Sequence, residues 1–106
     1  MGKKVSDLAE VVRSKNAGPF ELTVDILFSD QKNYDLAKHS GSFTKERIAS
    51  LYGLRPENIV ELIFFDAAKA IKITLPRLHP SGSPGERDTY GAQQYVPILN
   101  LPIRSG

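Results

Sequence analysis

Apolar side chains occupy every second position from Phe20 to Phe28, and Glu21, Thr23 and Asp25 stand between them. Successive side chains of a β-strand point to opposite faces of its sheet. The segment is therefore predicted to form a strand with one face in a core and one face in water.

The same alternation predicts two further strands, at residues 59–65 and 69–75. In the second of these, isoleucine and leucine alternate with smaller or polar side chains, so one face is again expected to be buried. The link at residues 66–68 is short enough for a hairpin. Asp66 in this link could be a base beside Tyr90, but an aspartate at a turn usually bonds its own backbone.

Helical spacing of apolar residues predicts three short helices. The first would span residues 7–13 with Ser6 as its N-cap. The second would begin at Asp30, and the third would begin after Thr44 and end at Gly53. Their expected inward side chains are Leu8, Val11 and Val12, then Tyr34 and Ala37, then Ile48, Leu51 and Tyr52.

A long segment rich in proline and glycine, residues 80–94, predicts a loop of a length that is either functional or disordered. Residues 96–103 look extended, and Pro97 and Pro102 would confine them to a sheet edge. The sequence thus predicts one domain, residues 1–106, of the α+β class. We expect a ferredoxin-like two-layer sandwich with helices on one face of a mostly antiparallel sheet.

Composition narrows the classes of function. The net charge is only +2 and the chain has no cysteine, so a disulfide, a thiolate nucleophile and a cysteine metal site are excluded. Basic residues are interspersed with acidic ones, which argues against nucleic-acid binding. No apolar run approaches the length of a membrane helix and the N-terminus lacks a signal-peptide pattern. We therefore expect a cytoplasmic protein that binds neither nucleic acid nor a membrane.

Two segments carry candidate chemistry. In the first, guanidinium, ammonium and backbone N–H groups around a glycine turn would suit a carboxylate or phosphate. Alternatively, its cations would complement the dipole of a helix C-terminus. This segment comprises Arg13, Ser14, Lys15, Asn16, Ala17 and Gly18.

The second segment is the loop, where acids, hydroxyls and amides stand beside glycines. It would form a substrate clamp or a docking loop, or else a mobile surface loop. It matches neither a phosphate-binding P-loop nor a dinucleotide-binding motif. His39 and His79 lie far apart in unlike contexts, so neither a metal site nor a Ser–His–Asp relay is predicted. No cofactor is predicted. The candidate residues of the loop are Ser81, Gly82, Ser83, Asp88, Tyr90, Gln93 and Gln94.

In these segments the chain resembles domain-of-unknown-function family 4387, a small bacterial family whose genes accompany large acyclic-terpene-utilisation (AtuA-like) proteins. More distantly, it is similar to the ferredoxin-fold domain found at the C-terminus of those proteins or encoded beside them. The resemblance spans about residues 5–103. The matching residues are Arg13 to Pro19, Phe65-Asp66, Ala70-Ile71-Lys72, Pro80 to Gly85, Asp88, and Tyr90 to Gln94.

The resemblance implies a partner subunit with a role in catabolism, and our leading hypothesis is an accessory subunit that helps to complete the active site of an AtuA-like protein. The substrates would be branched or carboxylic compounds, acyl thioesters included. Arg13, Lys15 and Asn16 would hold an anionic group, and Asp88 and Tyr90 would be the catalytic residues of the closing loop. Two alternatives stay open: a free-standing hydratase or isomerase at a homo-oligomer interface, and a structural interaction module.

Overall fold

The structure, a computed structural model, describes residues 3–18, 20–76 and 96–103. Two strands and a short helix come first in the chain: β1 (Lys3–Lys4), α1 (Val5–Leu8) and β2 (Val11–Asn16). They are followed by β3 (Glu21–Leu27), α2 (Gln31–Lys38) and α3 (Lys45–Tyr52). The remaining elements are β4 (Glu61–Phe65), β5 (Ala70–Pro76), α4 (Val96–Leu99) and β6 (Pro102–Ile103). Short 3-10 turns occupy Pro56–Asn58 and Asp66–Ala68.

Four strands form an antiparallel sheet in the order β2-β3-β5-β4, and β1 pairs with β6 in a separate two-stranded sheet. Because β5 is antiparallel to both of its neighbours, β3 and β4 run parallel to each other. The helices α2 and α3 connect them, so β3, β4 and the intervening β5 form a split β-α-β unit. The strand beside β3 is β2, which precedes β3 in the chain. The mixed α+β class is confirmed, and the complete ferredoxin-like topology stays a prediction.

One face of the four-stranded sheet builds the core. Its buried side chains come from alternate positions of the two central strands, and they share one cluster with side chains of the helices and of the C-terminal segment. This is the face that the period-two patterns predict. The largest contributors from the central strands are Leu22, Val24, Ile26, Ile71, Ile73 and Leu75, each at most 3% exposed. Phe20, also expected in the core, is 65% exposed because β3 begins after it.

The predicted helices after Asp30 and Thr44 are confirmed, and so are their caps. The Asp30 carboxylate accepts from the Lys32 N–H at 2.8 Å, and the Thr44 hydroxyl accepts from the Arg47 N–H at 3.2 Å. Gly53 ends α3 with φ of 68°, a conformation that glycine adopts without steric cost. Tyr34, at 1% exposure, anchors α2 in the core.

The predicted helix at residues 7–13 is wrong. Helix α1 covers only Val5–Leu8, and Ser6 lies inside it instead of capping it. The Asp7 carboxylate accepts from the Lys4 N–H at 2.8 Å at the start of this turn. Residues 11–16 form β2 and pair with residues 22–27 of β3, which hydrogen-bonds the backbone groups on that side of β3. The helix C-terminus proposed for residues 13–18 is therefore wrong too.

The extended edge strand predicted at residues 96–103 is also wrong. Val96–Leu99 is a helical turn with Pro97 in it, where the missing proline N–H costs nothing. Only Pro102–Ile103 is extended, and it pairs with Lys3–Lys4. The segment closes the domain by joining its two ends, because the Val5 N–H donates to the Leu101 carbonyl at 3.1 Å. Within the described residues, no helix is long and apolar enough to span a bilayer.

Candidate functional site

The four-stranded sheet has a second face, here called the open sheet face, which lies opposite the core. It carries the alternate positions of each strand that do not enter the core cluster. The elements that the structure describes outside the sheet contribute their buried side chains to the core instead. The pairing of the strands arranges the open sheet face in rows that run from β2 to β4.

The first row is apolar and consists of Val11, Leu27, Ala70 and Phe65. Its two ends are the most accessible, because Val11 is 42% exposed and Phe65 is 45% exposed. The row crosses four neighbouring strands, a span of roughly 14 Å at the usual strand spacing. It therefore presents an apolar band across the full width of the sheet.

The second row is charged and consists of Arg13, Asp25, Lys72 and Ile63. The nearest approach of Arg13 to Asp25 is 3.8 Å, between Nε and Oδ2. The Arg13 side chain is 63% exposed, and Asp25, between two cations, is 23% exposed. At this distance the ion pair is weak, so the guanidinium keeps donors available for a carboxylate or phosphate.

The third row carries hydroxyl groups between two charged ends, in the order Lys15, Thr23, Thr74 and Glu61. The Thr74 hydroxyl donates to Glu61 Oε1 at 3.3 Å. The two threonines are buried, whereas Lys15 and Glu61 are exposed. The ends of the row are thus the accessible groups, a cation at β2 and a carboxylate at β4.

The structure divides the predicted anion-binding segment between the two faces of β2. Arg13 and Lys15 share the open sheet face, whereas the alternation of the strand turns Ser14 and Asn16 to the opposite face. Gly18 lies in the turn between β2 and β3 with φ of 107°, a region that favours glycine. Of the predicted binding residues, the sheet therefore brings together the two cations, and it adds Lys72, which was not among the predicted binding residues.

The predicted loop residues, Ser81, Gly82, Ser83, Asp88, Tyr90, Gln93 and Gln94, lie outside the described residues. Their roles, and the proximity of the loop to residues 13–18, stay predictions. Among the residues that are described, no group of three or more His, Asp or Glu side chains could hold a metal ion.

The sequence did not predict a hydrogen-bonded cluster of Tyr34, Lys38 and Asp66. Asp66 Oδ1 accepts from the Tyr34 hydroxyl at 2.6 Å and from Lys38 Nζ at 2.8 Å. The expectation that this carboxylate bonds its own backbone is therefore wrong. The sequence contains part of the information needed to predict this cluster, because Tyr34 and Lys38 stand four positions apart and thus share one side of α2. Their partner is 28 residues further along the chain, and only the tertiary fold supplies it.

The electrostatics of this cluster suit a structural clamp and not acid–base catalysis. Hydrogen bonds from Lys38 and Tyr34 hold the pKa of the Asp66 carboxyl below its usual value of 3.8. Burial and the hydrogen bond to Asp66 raise the pKa of the Tyr34 hydroxyl well above 10.0. Near neutral pH the carboxylate stays ionised and the phenol stays protonated, whereas a general acid or base works best with a pKa near the working pH. The cluster ties the β4–β5 turn to α2.

Tyr34→Phe is expected to lower the free energy of unfolding by about 1 kcal/mol at neutral pH, because it removes one hydrogen bond. The folded-state pKa of Asp66 is depressed, so its contribution is present above the unfolded pKa. This contribution to stability is lost as the pH falls through the folded-state pKa of Asp66. The difference between wild type and Tyr34→Phe should therefore shrink below a pH of about 4. Urea unfolding between acidic and neutral pH measures it, and a double-mutant cycle with Asp66→Asn isolates the pair. An additive cycle would contradict the clamp.

The fold defines the chain as a small α+β domain whose four-stranded sheet packs one face against the core and carries apolar and charged rows on the other. A family model for a domain of unknown function (DUF4387) matches residues 5–102, and the chain belongs to this family. No curated protein matches the chain, and no solved structure does.

Proposed function

We propose that the chain is an accessory subunit that docks through its open sheet face onto a larger AtuA-like protein and helps to complete that protein's active site. The observation that carries the proposal is the apolar row with exposed Val11 and Phe65 beside the charged row. Interfaces between proteins combine apolar side chains with arginine at the centre and charged groups at the rim. An apolar band that crosses a whole sheet is larger than the scattered apolar residues of an ordinary surface.

The cations of the open sheet face give the docked complex a chemical role. Arg13, Lys15 and Lys72 lie on neighbouring rows within one face. An arginine fork beside ammonium groups recognises a carboxylate or phosphate through charge-assisted hydrogen bonds. These cations would hold the anionic group of a branched or carboxylic substrate, an acyl thioester included, at the edge of the partner's site. Asp88 and Tyr90 of the loop would act on the same substrate.

The test is co-expression of the chain with an AtuA-like protein encoded in the same genome, followed by affinity capture and measurement of the dissociation constant. Arg13→Glu reverses a charge within the docking face and is expected to weaken binding at least tenfold, which corresponds to about 1.4 kcal/mol. Lys32→Glu is the matched control, because Lys32 is an exposed cation on α2, outside the sheet. It should leave the dissociation constant unchanged.

Two outcomes would overturn the proposal. One is equal binding by wild type, Arg13→Glu and a Val11→Asp variant, since both positions lie on the proposed docking face. The other is turnover by the purified chain alone that is lost in Asp88→Asn or Tyr90→Phe, which would establish the free-standing enzyme instead. If the accessory role is correct, the purified chain turns over no substrate by itself.

A further inference from the structure

The two edges of the four-stranded sheet differ in composition. Strand β2 carries Arg13 and Lys15 at one edge, and β4 at the other edge contains four apolar residues and Glu61. Within the described residues, β4 pairs with β5 alone. Its outer side therefore presents the backbone N–H and C=O groups of alternate residues, a template for a further strand.

The side chains at the β4 edge are accessible as well. Val60, just before the strand, is 49% exposed and Phe65 is 45% exposed. Leu62 and Phe64 lie on the core face of β4, where they pack against the core cluster, and both are half-buried. Natural sheets protect an exposed edge with lysine, proline or inward-pointing charges. The lysine and arginine of β2 follow that rule, and the sequence of β4 does not.

We infer that β4 is a dimerisation edge, on which the β4 strand of a second copy pairs antiparallel about a two-fold axis at Ile63. In this register Ile63 lies opposite Ile63 of the second copy. Leu62 faces the partner's Phe64 twice, and an aliphatic–aromatic pair of this kind stabilises neighbouring strands. The remaining pair, which also occurs twice, joins Glu61 to the partner's Phe65. No like charges face each other.

The same operation at β2 is unfavourable in the two registers that pair most of the strand. A two-fold axis at Arg13 would place this cation opposite its own copy, and an axis at Ser14 would place it opposite Lys15. Like charges directly opposite each other destabilise a strand pair. With one edge suited to self-pairing and the other protected by charge, association closes at a dimer and does not continue into a filament.

The dimer would be one sheet of eight strands, four from each copy. A two-fold axis perpendicular to the sheet leaves both open sheet faces on the same side and both helical layers on the other. This inference does not rest on the proposed function, because β4 pairs through its backbone edge whether or not the open sheet face binds a partner.

A cysteine cross-link tests the register directly. The chain contains no cysteine, so Ile63→Cys introduces a single thiol at the two-fold axis. Directly opposed residues of antiparallel strands have Cα atoms about 4.5–5.5 Å apart, within the disulfide range of roughly 4.4–6.8 Å. Under mild oxidation this variant is expected to become a covalent dimer. Val11→Cys, an exposed position on β2, is the matched control and should remain mainly uncross-linked.

Sedimentation measures the association without a cross-link. The wild type should sediment as a dimer, and Ile63→Lys should sediment as a folded monomer, because it places two ammonium groups face to face. Arg13→Glu, at the other edge, should remain dimeric, which separates this interface from the docking face. A monomeric wild type would overturn the inference, and so would equal cross-linking of the Ile63→Cys and Val11→Cys variants. If Ile63→Lys fails to fold, the cross-link and the wild-type measurement still decide.

Discussion

Ile71→Ala is expected to lower the free energy of unfolding by about 2–5 kcal/mol, the range for truncation of a large aliphatic side chain in a core. Ile71 is fully buried on β5. It faces Ile26 on one neighbouring strand and Phe64 on the other, so the lost methyl and methylene groups leave a space that three strands border. Leu22→Ala, at the far end of β3 and 3% exposed, should fall within the same range.

The control for this prediction is the next residue along the strand. Lys72 lies on the open sheet face, and Lys72→Ala should change the free energy of unfolding by about 0.5 kcal/mol or less. Urea unfolding followed by circular dichroism measures all three variants. Equal effects of Ile71→Ala and Lys72→Ala would show that the two faces of β5 are assigned the wrong way round.

The central strands could be predicted because local pattern and tertiary environment agree in them. The two faces of β3 differ in polarity from Glu21 to Ile26, so a period of two is the clearest interpretation of this segment. The caps at Asp30 and Thr44 were predictable for a similar reason, since a short polar side chain before an amphipathic run satisfies free N–H groups at that position. These elements determine where the core lies and which face of the sheet lies opposite it.

Strand β2 could not be predicted in the same way. Leu8, Val11 and Val12 fit the spacing of a helix, whereas residues 11–16 lack the apolar alternation that marks β3. The choice depends on β3, which needs a partner on one side and receives it from residues 11–16. Pairing over six residues outweighs a helical propensity that is weak in valine-rich segments.

The sequence predicted some of the residues of the candidate site but not how the fold arranges them. The cations Arg13 and Lys15 were identified as anion-binding groups, but a helix end would have grouped them with Asn16, whereas a strand separates them from it. Lys72 joins them only because β3 lies between β2 and β5. The bonds from Tyr34 and Lys38 to Asp66 have the same origin, a contact between segments far apart in the chain.

Ile98→Ala and Leu101→Ala are each expected to lower the free energy of unfolding by about 2–5 kcal/mol. Both side chains are buried, at 0% and 2% exposure. In a uniform strand, positions three apart point to opposite faces, so an edge strand could bury only one of them. In the helical turn α4 and the residues after it, the same spacing directs both side chains into the core.

Asn100→Ala is the control within the same segment, because Asn100 is exposed and its replacement should change the free energy of unfolding by about 0.5 kcal/mol or less. Urea unfolding of the three variants distinguishes the two conformations of the C-terminal segment. A large effect at Ile98 with a negligible effect at Leu101 would restore the edge strand. Large effects at both positions would mean that these residues, although distant in sequence from the central strands, are as necessary to the core as Ile71.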